Sequence, residues 1–224
     1  MKVNNNYRKL AIVIVGILII VTISIVIYIK ALKPKPITEI KRNIVYISGY
    51  YKEYPNDDDP RFYIEFKDNG TFVLMYDDSR RSQYGYWEDG SVGVPVIECY
   101  FGKYERKNGN FLIKPARGCI VEFKDTASVD KNLINFYKEE NYENDSHIVG
   151  MIVCKLKNGQ YMLGAPTEDK KSYRKDIYYY LLYNKSDIKK LPSSPEEFRK
   201  QFKMDKKAEQ ERLAEQKRLA EQSH

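Results

Sequence analysis

The chain has 224 residues, a formal charge of +7 from 38 Lys and Arg against 31 Asp and Glu, two histidines and three cysteines. A chain of this length can bury a real apolar core, and the absence of a Cys-x-x-Cys pair or a Cys/His cluster excludes a zinc module. Nucleic-acid binding is excluded by where the charge sits: residues 1–35 hold six basic and no acidic residues, residues 36–192 hold 24 of each, and residues 193–224 hold eight and seven.

A basic tail, 1–9, precedes an uncharged run from Leu10 to Ile29. Twenty residues at helical rise span about 30 Å, the thickness of a bilayer's hydrocarbon layer. Fourteen of them are β-branched, which costs helix in water. In lipid, however, a lone span must pair its backbone internally and so must be helical. Its fifteen Ile, Val and Leu residues favour insertion by about 6 kcal/mol in total. A cleaved export signal would stop sooner and end small-x-small, whereas Ile29 stands two residues before Ala31. The run therefore reads as a single transmembrane helix, a signal-anchor contacting membrane lipid, with the large C-terminal part expected outside the cell. Counting Lys and Arg alone on the two flanks gives a slight preference for the opposite orientation.

Residues 30–42, with Pro34 and Pro36, read as a stiff spacer. From residue 43 the apolar period becomes two. Three turns of the Asn-Gly type, at Asn69-Gly70, Asn108-Gly109 and Asn158-Gly159, lie between strand-like runs. Those runs include 62–66, 71–76, 83–88, 94–100, 102–106, 111–114, 119–123, 148–156, 161–163 and 177–183. One short inserted helix is expected over 129–140, from the apolar spacing of Leu133, Phe136 and Tyr137. The prediction for residues 43–192 is an all-β antiparallel barrel or sandwich of nine or ten strands.

Gly49-Tyr50-Tyr51, Asn69-Gly70-Thr71-Phe72, Gly85-Tyr86-Trp87 and Gly102-Lys103-Tyr104 repeat a glycine-then-aromatic strand start. Over roughly residues 46–125 this cadence resembles bacterial lipocalin-like domains. The resemblance implies an up-and-down barrel with an apolar or partner-binding cavity, and it carries over no defined ligand residues. Tyr50, Trp87 and Tyr104, which follow the strand-start glycines, are the candidate ligand-binding aromatics. The competing reading of these rings is that they fill or cover the β core.

No catalytic group emerges. His147 is the one candidate base with chain on both sides, and no nucleophile motif lies near it. Asn56-Asp57-Asp58-Asp59 lacks the ligand spacing of a calcium loop, and no phosphate loop or dinucleotide motif occurs. Cys99 and Cys119 either pair outside the cell or stay as buried thiols, the latter being favoured. No cofactor or metal is expected. Residues 193–224 begin with a capping box at Ser194 and predict one exposed helix to about residue 221, with Phe198 and Phe202 placed to dock on the barrel.

These observations suggest a single-pass, surface-facing, non-catalytic protein whose β domain binds a partner protein or a small ligand. Two alternatives are an envelope enzyme using scattered carboxylates and a membrane-tethered toxin-neutralising or assembly factor acting through an exposed patch.

Overall fold

The computed structural model describes residues 13–25, 33–49, 53–82, 86, 93–143, 150–177 and 179–222. It divides into two units, Met1–Lys35 and Pro36–His224. In the first unit, residues 13–25 form helix α1, whose large apolar side chains are exposed. Thirteen helical residues reach about 20 Å, and among the described residues no helix is long and apolar enough to cross a membrane.

The second unit is a nearly closed antiparallel barrel, compatible with a lipocalin-like architecture. Its strands are β1 (Val45–Ser48), β2 (Arg61–Phe66), β3 (Thr71–Asp78), β4 (Val96–Lys107), β5 (Asn110–Phe123), β6 (Leu133–Asn141), β7 (Met151–Lys155), β8 (Tyr161–Gly164), β9 (Tyr179–Leu181) and β10 (Lys203–Met204). Around the barrel they run β1-β2-β3-β4-β5-β7-β8-β9. The circuit nearly closes where Ile47 and Tyr183 exchange backbone hydrogen bonds of 3.0 and 2.8 Å.

The turns that make this meander are those the sequence announces. Asn108 and Gly109 take φ of 52° and 81°, the two positive values a primed hairpin turn requires. Gly70 and Gly159 supply φ of 80° and 85° in the others.

Strand β5 is shared. Its first part, Phe111 to Ile113, pairs with β7, while Arg117 to Phe123 pairs with β6. Strand β6 thus leaves the circuit and carries the parallel β10 on its other edge. Bulges near Gly102 and near Phe123 let the long strands bend through this fork.

Alternation along the strands produces two apolar clusters, one on each face of the sheet. Tyr46, Ile64, Phe66, Leu74, Ile113 and Leu163 point inward, because side chains of their parity from β2, β3, β4, β5, β7 and β9 line one common cleft. Tyr63, Met75, Cys99, Val121 and Phe123 point outward, where Leu191, Phe198 and Phe202 cover them. Glu65, also outward and only 3% exposed, accepts from Leu191 N at 3.1 Å and pairs with Lys67 at 2.8 Å, fixing the covering segment to β2.

Several stretches differ from the sequence reading. The expected helix over 129–140 is mostly strand β6. Only α2 (Thr126–Val129) is helical, capped by Asp125, which accepts from Ser128 N at 2.8 Å. Asn132, at φ 54°, then stops the helix, and pairing with β5 takes over. Runs expected as separate strands fuse into β4 and β5.

The single tail helix is two helices: α3 (Pro195–Arg199), capped by Ser194, and α4 (Lys206–Gln222). Between them β10 borrows hydrogen bonds from β6, Lys203 N to Asn132 O at 2.9 Å and Asp205 N to Ile134 O at 2.8 Å. Asp205 then caps α4 through Ala208 N. Cys99 and Cys119 stand opposite each other across β4 and β5, and both are free thiols, as is Cys154.

Candidate functional site

Inside the barrel, one end is packed shut and the other is open. At the closed end Phe66 and Phe111 meet at 4.7 Å between ring centroids and Tyr104 meets Phe66 edge-on at 5.1 Å. Strands β2 and β5 are separated by two strands, so such contact requires a tightly curved wall with these rings on its concave side. Tyr104, one of the expected ligand-binding aromatics, is part of this plug. Its hydroxyl donates to Lys67 O at 3.1 Å, and the half-buried ring packs against the inner cluster without lining the cleft. Tyr50, Trp87 and His147 lie outside the described residues.

The open end is a cleft of about 780 Å³, within the range of small-molecule sites. Its floor is apolar, with Leu74, Ile113 and Met151. Two groups of rings stand above it. Phe62 lies 4.8 Å from Tyr76 and 4.7 Å from Tyr180, forming one group. Tyr100 and Tyr142 stack at 6.4 Å and 29°, forming the other. Gly118 makes the second group possible: a Cβ there would lie 2.6 Å from the Tyr142 ring, so the ring occupies the space left by the missing side chain.

The polar groups are few and ordered. Tyr100 OH donates to Glu98 Oε2 at 2.5 Å, Tyr142 OH donates to Glu140, and Tyr76 OH donates to Asp78 at 3.3 Å. Burial, reinforced by these carboxylates, pushes the Tyr76 hydroxyl up to about 12 and holds those of Tyr100 and Tyr142 well above the ordinary phenol range. The hydroxyls therefore stay protonated at neutral pH and serve as donors, not bases. At the rim, Arg174 makes a two-pronged pair with Asp176, at 2.6 and 3.3 Å. A smaller hollow of about 280 Å³, lined by Gly118, Phe136 and Lys138, shares Glu98, Tyr100 and Tyr142 with the cleft.

A third hollow, of about 460 Å³, lies on the outer face between β3, α2 and α3. Its arginines are already paired: Arg80 binds Asp77 at 2.8 Å and Asp187 at 3.1 Å, and Arg81 binds Asp78 at 2.5 Å, while Tyr63 OH donates to Asp187 at 2.9 Å. The acidic loop Asn56 to Asp59 wraps Arg61, whose guanidinium donates to Asn56 O and Asp57 O. Among the described residues, no group of three or more His, Cys, Asp or Glu side chains could hold a metal ion.

Sequence reasoning reached the tyrosine-rich strands but not the residues that line the mouth. The available signal was the step of two that places Leu74 with Tyr76 and Glu98 with Tyr100 on one side of their strands. No protein-family model matches the chain, and no curated protein matches it significantly.

Proposed function

We propose that the protein is a non-catalytic, membrane-tethered binding protein whose barrel mouth takes a small organic ligand. The cleft carries this reading: it is apolar at its floor, ringed by aromatics and supplied with a handful of fixed polar groups, the composition of a pre-formed ligand site. The non-catalytic reading is supported by its tyrosine hydroxyls, which among the described residues are donors held on carboxylates. The tether is the run from Leu10 to Ile29, and the β domain faces out of the cell. This part rests on the uncharged twenty-residue stretch and on the exposed apolar side chains of α1.

The test is thermal unfolding of the full chain in nonionic maltoside micelles with and without a neutral aromatic probe, 1-naphthol. A ligand that binds only the folded barrel raises the midpoint with concentration. The expected result is a concentration-dependent rise for the natural chain and none for Ile113→Trp, which fills the cleft. An equal rise in both, or none in either, contradicts the reading.

A further inference from the structure

The charges around the cleft are not balanced. Among the described residues, Glu98 has no ion-pair partner; its contact is the hydroxyl of Tyr100. By contrast, Glu140 is paired with Lys138, Asp78 beneath Tyr76 is paired with Arg81 at 2.5 Å, and Arg174 is paired with Asp176. Each neighbouring charge is thus answered within the protein, and Glu98 alone faces the cleft unanswered.

The rings strengthen the asymmetry. A tyrosine that donates its hydroxyl proton to a carboxylate carries a more electron-rich face, and aromatic faces attract cations. Tyr100 and Tyr142 each donate to a carboxylate, and Tyr100 donates to Glu98 itself. Beside Glu98, on the adjacent strand, stands its cross-strand neighbour Tyr76, whose ring continues into those of Phe62 and Tyr180. Among the described residues that line the cleft, the one cation is Arg174, and its guanidinium is held on two of its nitrogens by Asp176.

We infer that the cleft takes an organic ammonium ligand, its cationic nitrogen set against Glu98 and Tyr100 and its apolar body on the floor formed by Leu74 and Ile113. This rests on the proposed ligand site and names the chemistry of its occupant. A quaternary or tertiary ammonium suits it better than a metal ion, since the site offers aromatic surface and few oxygens.

The experiment uses three probes of one shape: the 2-hydroxyethyl-trimethylammonium ion, its neutral isostere 3,3-dimethylbutan-1-ol, and the anion 3,3-dimethylbutanoate. Each is titrated into the full chain, carrying ¹³C-labelled tyrosine, in maltoside micelles, and ring shifts give the dissociation constants. The cation is expected to bind about tenfold more tightly than the alcohol, and the anion more weakly than either. In Glu98→Gln the preference for the cation falls to near parity, while the alcohol binds as before, which shows the cleft intact. An alcohol or carboxylate that binds as well as the cation overturns the inference, as does failure of all three when 1-naphthol still raises the unfolding midpoint. Failure of 1-naphthol as well removes the binding site itself.

Discussion

At the scale of single residues, buried hydroxyls and missing side chains do most to define the site. The tyrosines give a pH signature whose sign follows from burial. Desolvation raises Tyr76 to about 12 and lifts Tyr63 and Tyr100 above their ordinary value of 10.0. A group whose folded pKa lies above its unfolded one stabilises fully below the unfolded value and loses that contribution as pH rises through the folded one. Stability is therefore expected to hold up to about pH 10 and to decline between pH 10 and 12, read as a falling urea midpoint with a late rise in phenolate absorbance. A midpoint that stays flat across this window contradicts the burial assigned to these rings. Gly102 offers a steric test: a Cβ there would stand 2.2 Å from Lys114 O, inside the bulge that bends β4 against β5. Gly102→Ala should lose about 1–3 kcal/mol in chemical denaturation, whereas Gly70→Asn, at an open turn position that Asn tolerates, should lose much less.

At the scale of elements, the covering segment after Lys190 serves as an outer layer of the barrel. Phe202 packs on Phe123 at 5.8 Å and on Phe198 at 5.2 Å, and Phe202→Ala should cost about 3–5 kcal/mol. Deleting residues 213–222 should cost almost nothing, because Leu213 and Leu219 are 51% and 52% exposed. Two contacts that anchor α4, Arg212 Nε to Asn135 O at 3.2 Å and the guanidinium 4.6 Å from the Phe136 ring, precede the cut. These elements also explain what could be read in advance. Hairpins declare themselves through Asn-Gly pairs, because only such residues accept the required positive φ cheaply. Strand β6 does not: Leu133, Ile134, Phe136 and Tyr137 suit a helix stripe as well as a strand, and only the free edge of β5 decides between them. The break between α3 and α4 has the same cause, since Lys203 and Met204 are drawn into pairing with β6. The mouth is not legible in the sequence because its residues come from six strands, each contributing one or two side chains that look ordinary in isolation, and from the loops around them. Tyr104 shows the converse: a ring after a strand-start glycine suits a pocket wall and a packed wall equally, and here it packs on Phe66 and Phe111.

At the scale of the whole molecule, an uncharged N-terminal run precedes a β domain whose residues 36–192 carry 24 basic and 24 acidic side chains. The run should hold the full chain in the membrane pellet after alkaline carbonate extraction, and its release to the supernatant would contradict the tether. Orientation is tested by a cysteine in place of Lys217, exposed on α4, while Cys99, Cys119 and Cys154 are buried. A membrane-impermeant thiol reagent is expected to label it on intact cells, and labelling only after lysis would reverse the assignment.

The claim on which the functional reading depends is that the cleft opens into the barrel's own interior and not beneath the covering C-terminal segment. Methionine methyl NMR separates these, because Met151 lines the cleft whereas Met75 and Met162 belong to the outward cluster. With ¹³C-methyl-labelled full chain and added 1-naphthol, the account predicts that the Met151 methyl signal moves while Met75 and Met162 stay in place. Movement of Met75 or Met162 with Met151 unchanged would contradict it.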